Sequence, residues 1–93
     1  MARFISNEIM LDILSEVQKQ QIILLDAGFC AHLDANIHEN TSWDVDPGGS
    51  HISFELIVFD GDQIDKRYEF DPRETEEQVR AWLALLIADV NAL

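Results

Sequence analysis

From Phe29 to His38 apolar and polar residues alternate almost perfectly, and no other feature constrains the chain as much. Phe29, Ala31, Leu33, Ala35 and Ile37 fall on one side, and Cys30, His32, Asp34, Asn36 and His38 on the other. Successive strand side chains point to opposite faces, so the pattern predicts a strand over about 29–38 with one buried face. Such a strand needs neighbours to pair with and a second layer to cover it. The neighbours lie downstream. A second strand, from about His51 to Phe59, sets Ile52, Phe54, Leu56 and Val58 on its core face, and a third runs from about Gln63 to Phe70. Glu39 to Ser50 reads as a loop, with Pro47-Gly48-Gly49 at its end and Trp43 within it.

Between the last two strands stands Asp60-Gly61-Asp62, and an Asp-Gly pair signals a two-residue hairpin turn. Register favours a three-residue loop instead. It pairs Val58 with Ile64, Leu56 with Lys66, Phe54 with Tyr68 and Ile52 with Phe70, and sets Glu55 opposite Arg67 on the outer face.

The covering layer comes from the two ends of the chain. From Ser6 to about Asp26, the residues Ile9, Met10, Ile13, Leu14, Val17 and Leu24 recur at helical spacing, with Ser6 as N-cap and Gly28 as a left-handed stop. Ile22-Ile23-Leu24-Leu25 fits either the last turns of this helix or a short buried strand; nothing in Gln18-Lys19-Gln20-Gln21 breaks the helix, which is therefore preferred. The last element, over about 72–92, has two start signals, Asp71-Pro72-Arg73-Glu74 and Thr75-Glu76-Glu77-Gln78. Val79, Trp82, Leu83, Leu86, Val90 and Leu93 then trace its apolar stripe. The expectation is a single α+β domain over 1–93, ordered helix, three-stranded antiparallel sheet, helix (αβββα), with both helices on one face of the sheet.

Charge decides which partners suit such a domain. Eighteen Asp and Glu face six Lys and Arg, for a formal net charge of −12. That exceeds the magnitude of about 2–8 usual for a small soluble domain. Direct binding to nucleic acid or to an anionic membrane needs a basic footprint, which the chain lacks. A lone cysteine, Cys30, forms no internal disulfide and suits a reducing compartment. Asn7, Glu8 and Asp12 interrupt any signal-peptide core, so the expected location is cytoplasmic.

Little in the sequence points to catalysis or to a cofactor. His32 and His38 stand about 20 Å apart along a strand, too far to share an ion even if His51 joins one of them. Asp44-Val45-Asp46-Pro47-Gly48-Gly49 and Asp60-Gly61-Asp62 lack the closing glutamate of a calcium loop. There is no nucleophile elbow beside Cys30 or the serines, and no glycine-rich phosphate loop follows a strand. No metal, cofactor or catalytic residue is assigned, and the chain is expected not to be an enzyme.

The candidate site is an acidic face. Asp65, Glu69 and Asp71, with Arg67, are expected on the outer side of the third strand, with Glu55 and Asp34 on the same side of the other two. Spacings of about 6.8 Å along strands and 4.8 Å between them make a carboxylate array. Glu74, Glu76 and Glu77 at the start of the last helix extend it. Ile57 and Phe59 on the second strand and Trp43 in the loop add apolar contacts inside the charged rim.

In size, charge and the carboxylates from Asp60 to Glu77, the chain resembles the small phage-encoded inhibitors of CRISPR and restriction systems, in general character along its whole length rather than by a motif. The resemblance implies a nucleic-acid mimic that blocks the basic surface of a nuclease complex, with Asp65, Glu69, Asp71, Glu74 and Glu77 meeting Arg and Lys. The element order also resembles the double-stranded RNA-binding domain, but Glu74, Glu76 and Glu77 stand where that family needs bases. Two rival expectations are an acidic chaperone or assembly adaptor that forms a homodimer or holds an apolar segment against Ile57 and Phe59, and a small hydrolase.

Overall fold

A computed structural model describes residues 4–39 and 49–93. The elements follow the expected order: α1 (Asn7–Asp26), β1 (Cys30–Glu39), β2 (Ser50–Asp60), β3 (Gln63–Phe70) and α2 (Glu76–Asn91). The strands form one antiparallel sheet in the order β1-β2-β3. Both helices lie on the face that carries Ile52, Phe54, Leu56 and Val58, and no helix or strand among the described residues covers the opposite, open face. Trp43 and the acidic run around it lie outside the described residues.

Ser6 caps α1, its hydroxyl accepting from the Ile9 N–H at 3.3 Å. The helix runs through Ile22–Leu25 without a break. It ends where Gly28 takes φ 93°, with Gly28 N–H donating to the Leu25 carbonyl and Phe29 N–H to the Leu24 carbonyl. That pair of bonds is the glycine-terminated Schellman stop. Met10, Ile13, Val17 and Leu24 are buried against the sheet, joined by Val79, Leu86 and Val90 of α2. Phe54 and Phe70 stack with ring centroids 4.9 Å apart.

Three expectations need correction. The hairpin has a two-residue turn, because Asp60 pairs with Gln63 and Gly61 sits at φ 63° as the first central residue. The three-residue loop fails because a bulge, not the turn, sets the register. Phe59 faces Ile64, then Val58 faces Lys66, and Asp65 is the extra residue. Continued without the bulge, the turn's register would place Arg67 opposite Leu56 and Glu69 opposite Phe54. The one-residue offset instead turns Tyr68 and Phe70 into the core.

The second correction concerns β1. Ala31 is buried and Leu33 partly so, but Phe29 and Ala35 are exposed and Ile37 is 76% exposed. The cause is the path of α1. Asn7 Nδ2 donates to the Ser50 carbonyl at 3.1 Å, and Gln21 Nε2 to the Ala31 carbonyl at 3.1 Å. The helix therefore starts beside β2 and finishes over the first residues of β1, and does not reach the far corner of β1.

The third concerns α2, which begins at Glu76 rather than near 72. Thr75 supplies the full capping box: its hydroxyl accepts from Gln78 N–H at 3.1 Å and its N–H donates to Gln78 Oε1 at 3.3 Å. The earlier signal makes a turn instead. Asp71 accepts from the Arg73 backbone and guanidinium, and Glu74 N–H donates to the Asp71 carbonyl at 3.1 Å.

Candidate functional site

The open face of the sheet divides into three zones along the strands. At the hairpin end, Ile57 and Phe59 are half-buried, with Ile64 half-exposed opposite Phe59 and Cys30 exposed on its other side. In the middle lies an acidic depression of about 160 Å³ bordered by Asp34, Asn36, Ser53, Glu55, Glu69 and Asp71. At the far end, His51 stacks between Phe4, at 4.1 Å, and His38, at 5.0 Å. His38 Nε2 lies 3.0 Å from the Ser53 hydroxyl.

The middle zone is unusual in its register. Asp34 pairs with Glu55, and Glu55 pairs with Glu69, so three carboxylates stand opposite one another across three strands. Like charges directly opposite in a sheet are destabilising. Arg67 offsets part of this, with its Nε 3.6 Å from Glu55 Oε2, but it reaches Glu55 diagonally because its own partner is Ile57. Asp71 stands at the end of the row, and its hydrogen bonds from Arg73 hold its carboxyl below the usual range.

Other expected site residues do not join this face. The bulge turns Asp65 to the helix-covered side, where it borders a small hollow with Lys66, Tyr68 and Asp89. There the Tyr68 hydroxyl donates to Asp89 Oδ2 at 2.6 Å and Lys66 Nζ lies 3.0 Å from the same oxygen. These two bonds lower the Asp89 pKa, while burial, together with Asp89 and Asp65, pushes the Tyr68 phenol up. Glu74, Glu76 and Glu77 are exposed around the start of α2, in the helix layer. Glu76 is paired with Arg80 at 2.8 Å, and Glu74 borders a shallow hollow with Gln78, Trp82 and Leu85. Acidic residues in a first turn complement the helix dipole, which gives Glu76 and Glu77 a local role.

Sequence reasoning thus placed Asp34, Glu55, Glu69 and Asp71 on one face of the sheet but missed that the first three stand in one row. It also missed Ile64 on the open face and the Phe4–His51–His38 stack. The bulge hides the first two. The only signal for the stack was the pairing of two half-exposed histidines on adjacent strands. Among the described residues no three His, Cys, Asp or Glu side chains are grouped to hold a metal ion, and no helix is long and apolar enough to cross a membrane. Comparison with protein-family models, with curated proteins and with solved structures finds no match to this chain.

Proposed function

We propose that the protein is a non-enzymatic inhibitor whose open sheet face occupies the basic, nucleic-acid-binding surface of a partner protein in the cytoplasm. The observation that supports this most is the in-register row Asp34–Glu55–Glu69 with Asp71 at its end. Folding does not call for three carboxylates opposite one another; a partner's arginines would relieve the repulsion with paired, charge-assisted hydrogen bonds. Ile57, Phe59 and Ile64 lie beside the row and supply apolar area for the centre of such an interface. The net charge of −12 would speed encounter with a basic surface.

The test is capture of partners from the native host at low salt, followed by the salt dependence of the purified pair. Binding should weaken steeply as salt rises, and the double variant Glu55→Lys/Glu69→Lys should abolish it while leaving the far-ultraviolet circular dichroism unchanged. A partner that binds the double variant with unaltered affinity and salt dependence would refute the assignment of this face.

A further inference from the structure

We propose that the protein forms a two-fold dimer by antiparallel pairing of β1 with β1 of a second copy, centred on Ala35. The edge of β1 carries the first observation. The two-residue turn makes Asp60 and Gln63 a hydrogen-bonded pair, so the backbone groups of Phe59, Ile57 and Glu55 face Cys30, His32 and Asp34 of β1. The Ala31 carbonyl, which accepts from the Gln21 side chain, therefore points to the free side of the strand. Backbone direction alternates along a strand, which puts the N–H and C=O groups of Leu33, Ala35 and Ile37 on the same free side. Gln21 closes that edge at Ala31, and among the described residues Leu33 to Ile37 has no further strand paired to it.

The sequence of β1 fits its own copy in one register. With Ala35 opposite Ala35 of the second copy, Leu33 meets Ile37 and Ile37 meets Leu33, each pair exchanging both backbone hydrogen bonds. On the open face His32 meets His38 and Asp34 meets Asn36, so no carboxylate faces another across the seam. Ile37, the most exposed large apolar residue of the described chain, then lies beside a half-buried Leu33.

The flank of α1 next to this edge supplies a third observation. Leu11, Leu14, Gln18, Gln21 and Leu25 are spaced by three and four residues, a stripe adjacent to the core stripe of Met10, Ile13, Val17, Gln20 and Leu24. Gln21 fixes the stripe on the β1 side, while Asp12, Glu16 and Ser15 border a hollow with Arg80 and Leu83 of α2. Leu11 is 51% and Leu25 48% exposed. An antiparallel edge pair keeps both helix layers on the same face of a six-stranded sheet, so the two stripes flank one seam.

The salt dependence of this association is opposite in sign to that of binding a basic partner. Each copy brings a charge of −12, so the dimer is weakest at low salt. Sedimentation equilibrium should show dimerisation tightening about tenfold or more between about 20 mM and 500 mM NaCl, as the Debye length shrinks. Ile37→Lys and Ala35→Pro should each give monomers with native circular dichroism, since the Ala35 N–H faces away from β2. In a Cys30→Ser background, Ala35→Cys should form an intermolecular disulfide, because paired Cα atoms about 5.5 Å apart fit its span. Ile37→Cys should not, its symmetry mate lying about 14 Å away along the strand. A monomer at every salt concentration, a dimer that survives both edge variants, or cross-linking at 37 in preference to 35 would overturn the proposal.

Discussion

Glu69→Lys should make the protein more stable, by an amount set by the row of carboxylates it interrupts. Glu69 faces Glu55, has no ion pair of its own among the described residues, and is exposed. Two unit charges about 5 Å apart repel by about 0.8 kcal/mol in water, and a Debye length of about 8 Å roughly halves this at physiological salt. Removing that repulsion with Glu69→Gln should therefore gain about 0.4 kcal/mol, and replacing it with attraction in Glu69→Lys about 0.8 kcal/mol, within the range for cross-strand pairs. Glu55→Gln relieves two repulsions but gives up the Arg67 pair, worth about 0.2–1 kcal/mol, so its net effect should be small. The assay is equilibrium urea unfolding at neutral pH and low protein concentration. In about 1 M NaCl the Glu69→Lys gain should fall below about 0.3 kcal/mol, because screening there leaves little of the interaction. A Glu69→Lys protein less stable than the parent, or equally stabilised at both salt concentrations, would refute the reasoning.

The core and the turn offer checks independent of charge. Leu86 is fully buried between α2 and the sheet, so Leu86→Ala should cost about 3 kcal/mol in the same unfolding assay. Gly61→Ala should cost about 1 kcal/mol although its added methyl group meets nothing within 4 Å, because φ 63° is strained for an L side chain. Alkaline unfolding should report Tyr68: the folded state holds its phenol protonated, the unfolded chain ionises near pH 10, and stability should drop above that value and less so in Tyr68→Phe. At the acid end, the depressed carboxyls of Asp71 and Asp89 contribute stability above their unfolded value of 3.8 and lose it as pH falls through their folded values. Arg73→Ala should weaken the Asp71 part of that acid dependence, which thermal unfolding between about pH 2 and 5 would record.

The order of elements was legible because each depended on local pattern: alternation for the strands, three-and-four spacing for the helices, and Ser6, Gly28 and Thr75 at their ends. What was not legible depended on geometry between elements. Asp65 looks like an ordinary strand residue, and only the conflict between a glycine turn at Gly61 and core positions at Tyr68 and Phe70 requires the bulge. Ala35 and Ile37 continue the alternation of Ala31 and Leu33 without a mark to show where the covering helix veers off. Of the site, Asp34, Glu55, Glu69 and Asp71 share a face by parity alone, which a one-residue bulge before Lys66 leaves intact for Glu69 but reverses for Asp65. Pro72 was misleading in a different way. It suits the first turn of a helix, yet here it is buried before the helix, and its carbonyl accepts from the Ile5 N–H at 2.8 Å.

The place of β1 at the edge of the sheet gives it an uneven rate of solvent exchange along a single strand. Amides of His32, Asp34 and Asn36 point into the ladder with β2, while those of Leu33, Ala35 and Ile37 point outward beside them. In the monomer, at low salt and low protein concentration, deuterium should enter every second position within the dead time of mixing and reach the others only through larger openings. One ten-residue segment therefore times two separate events, the wetting of an edge and the opening of the sheet.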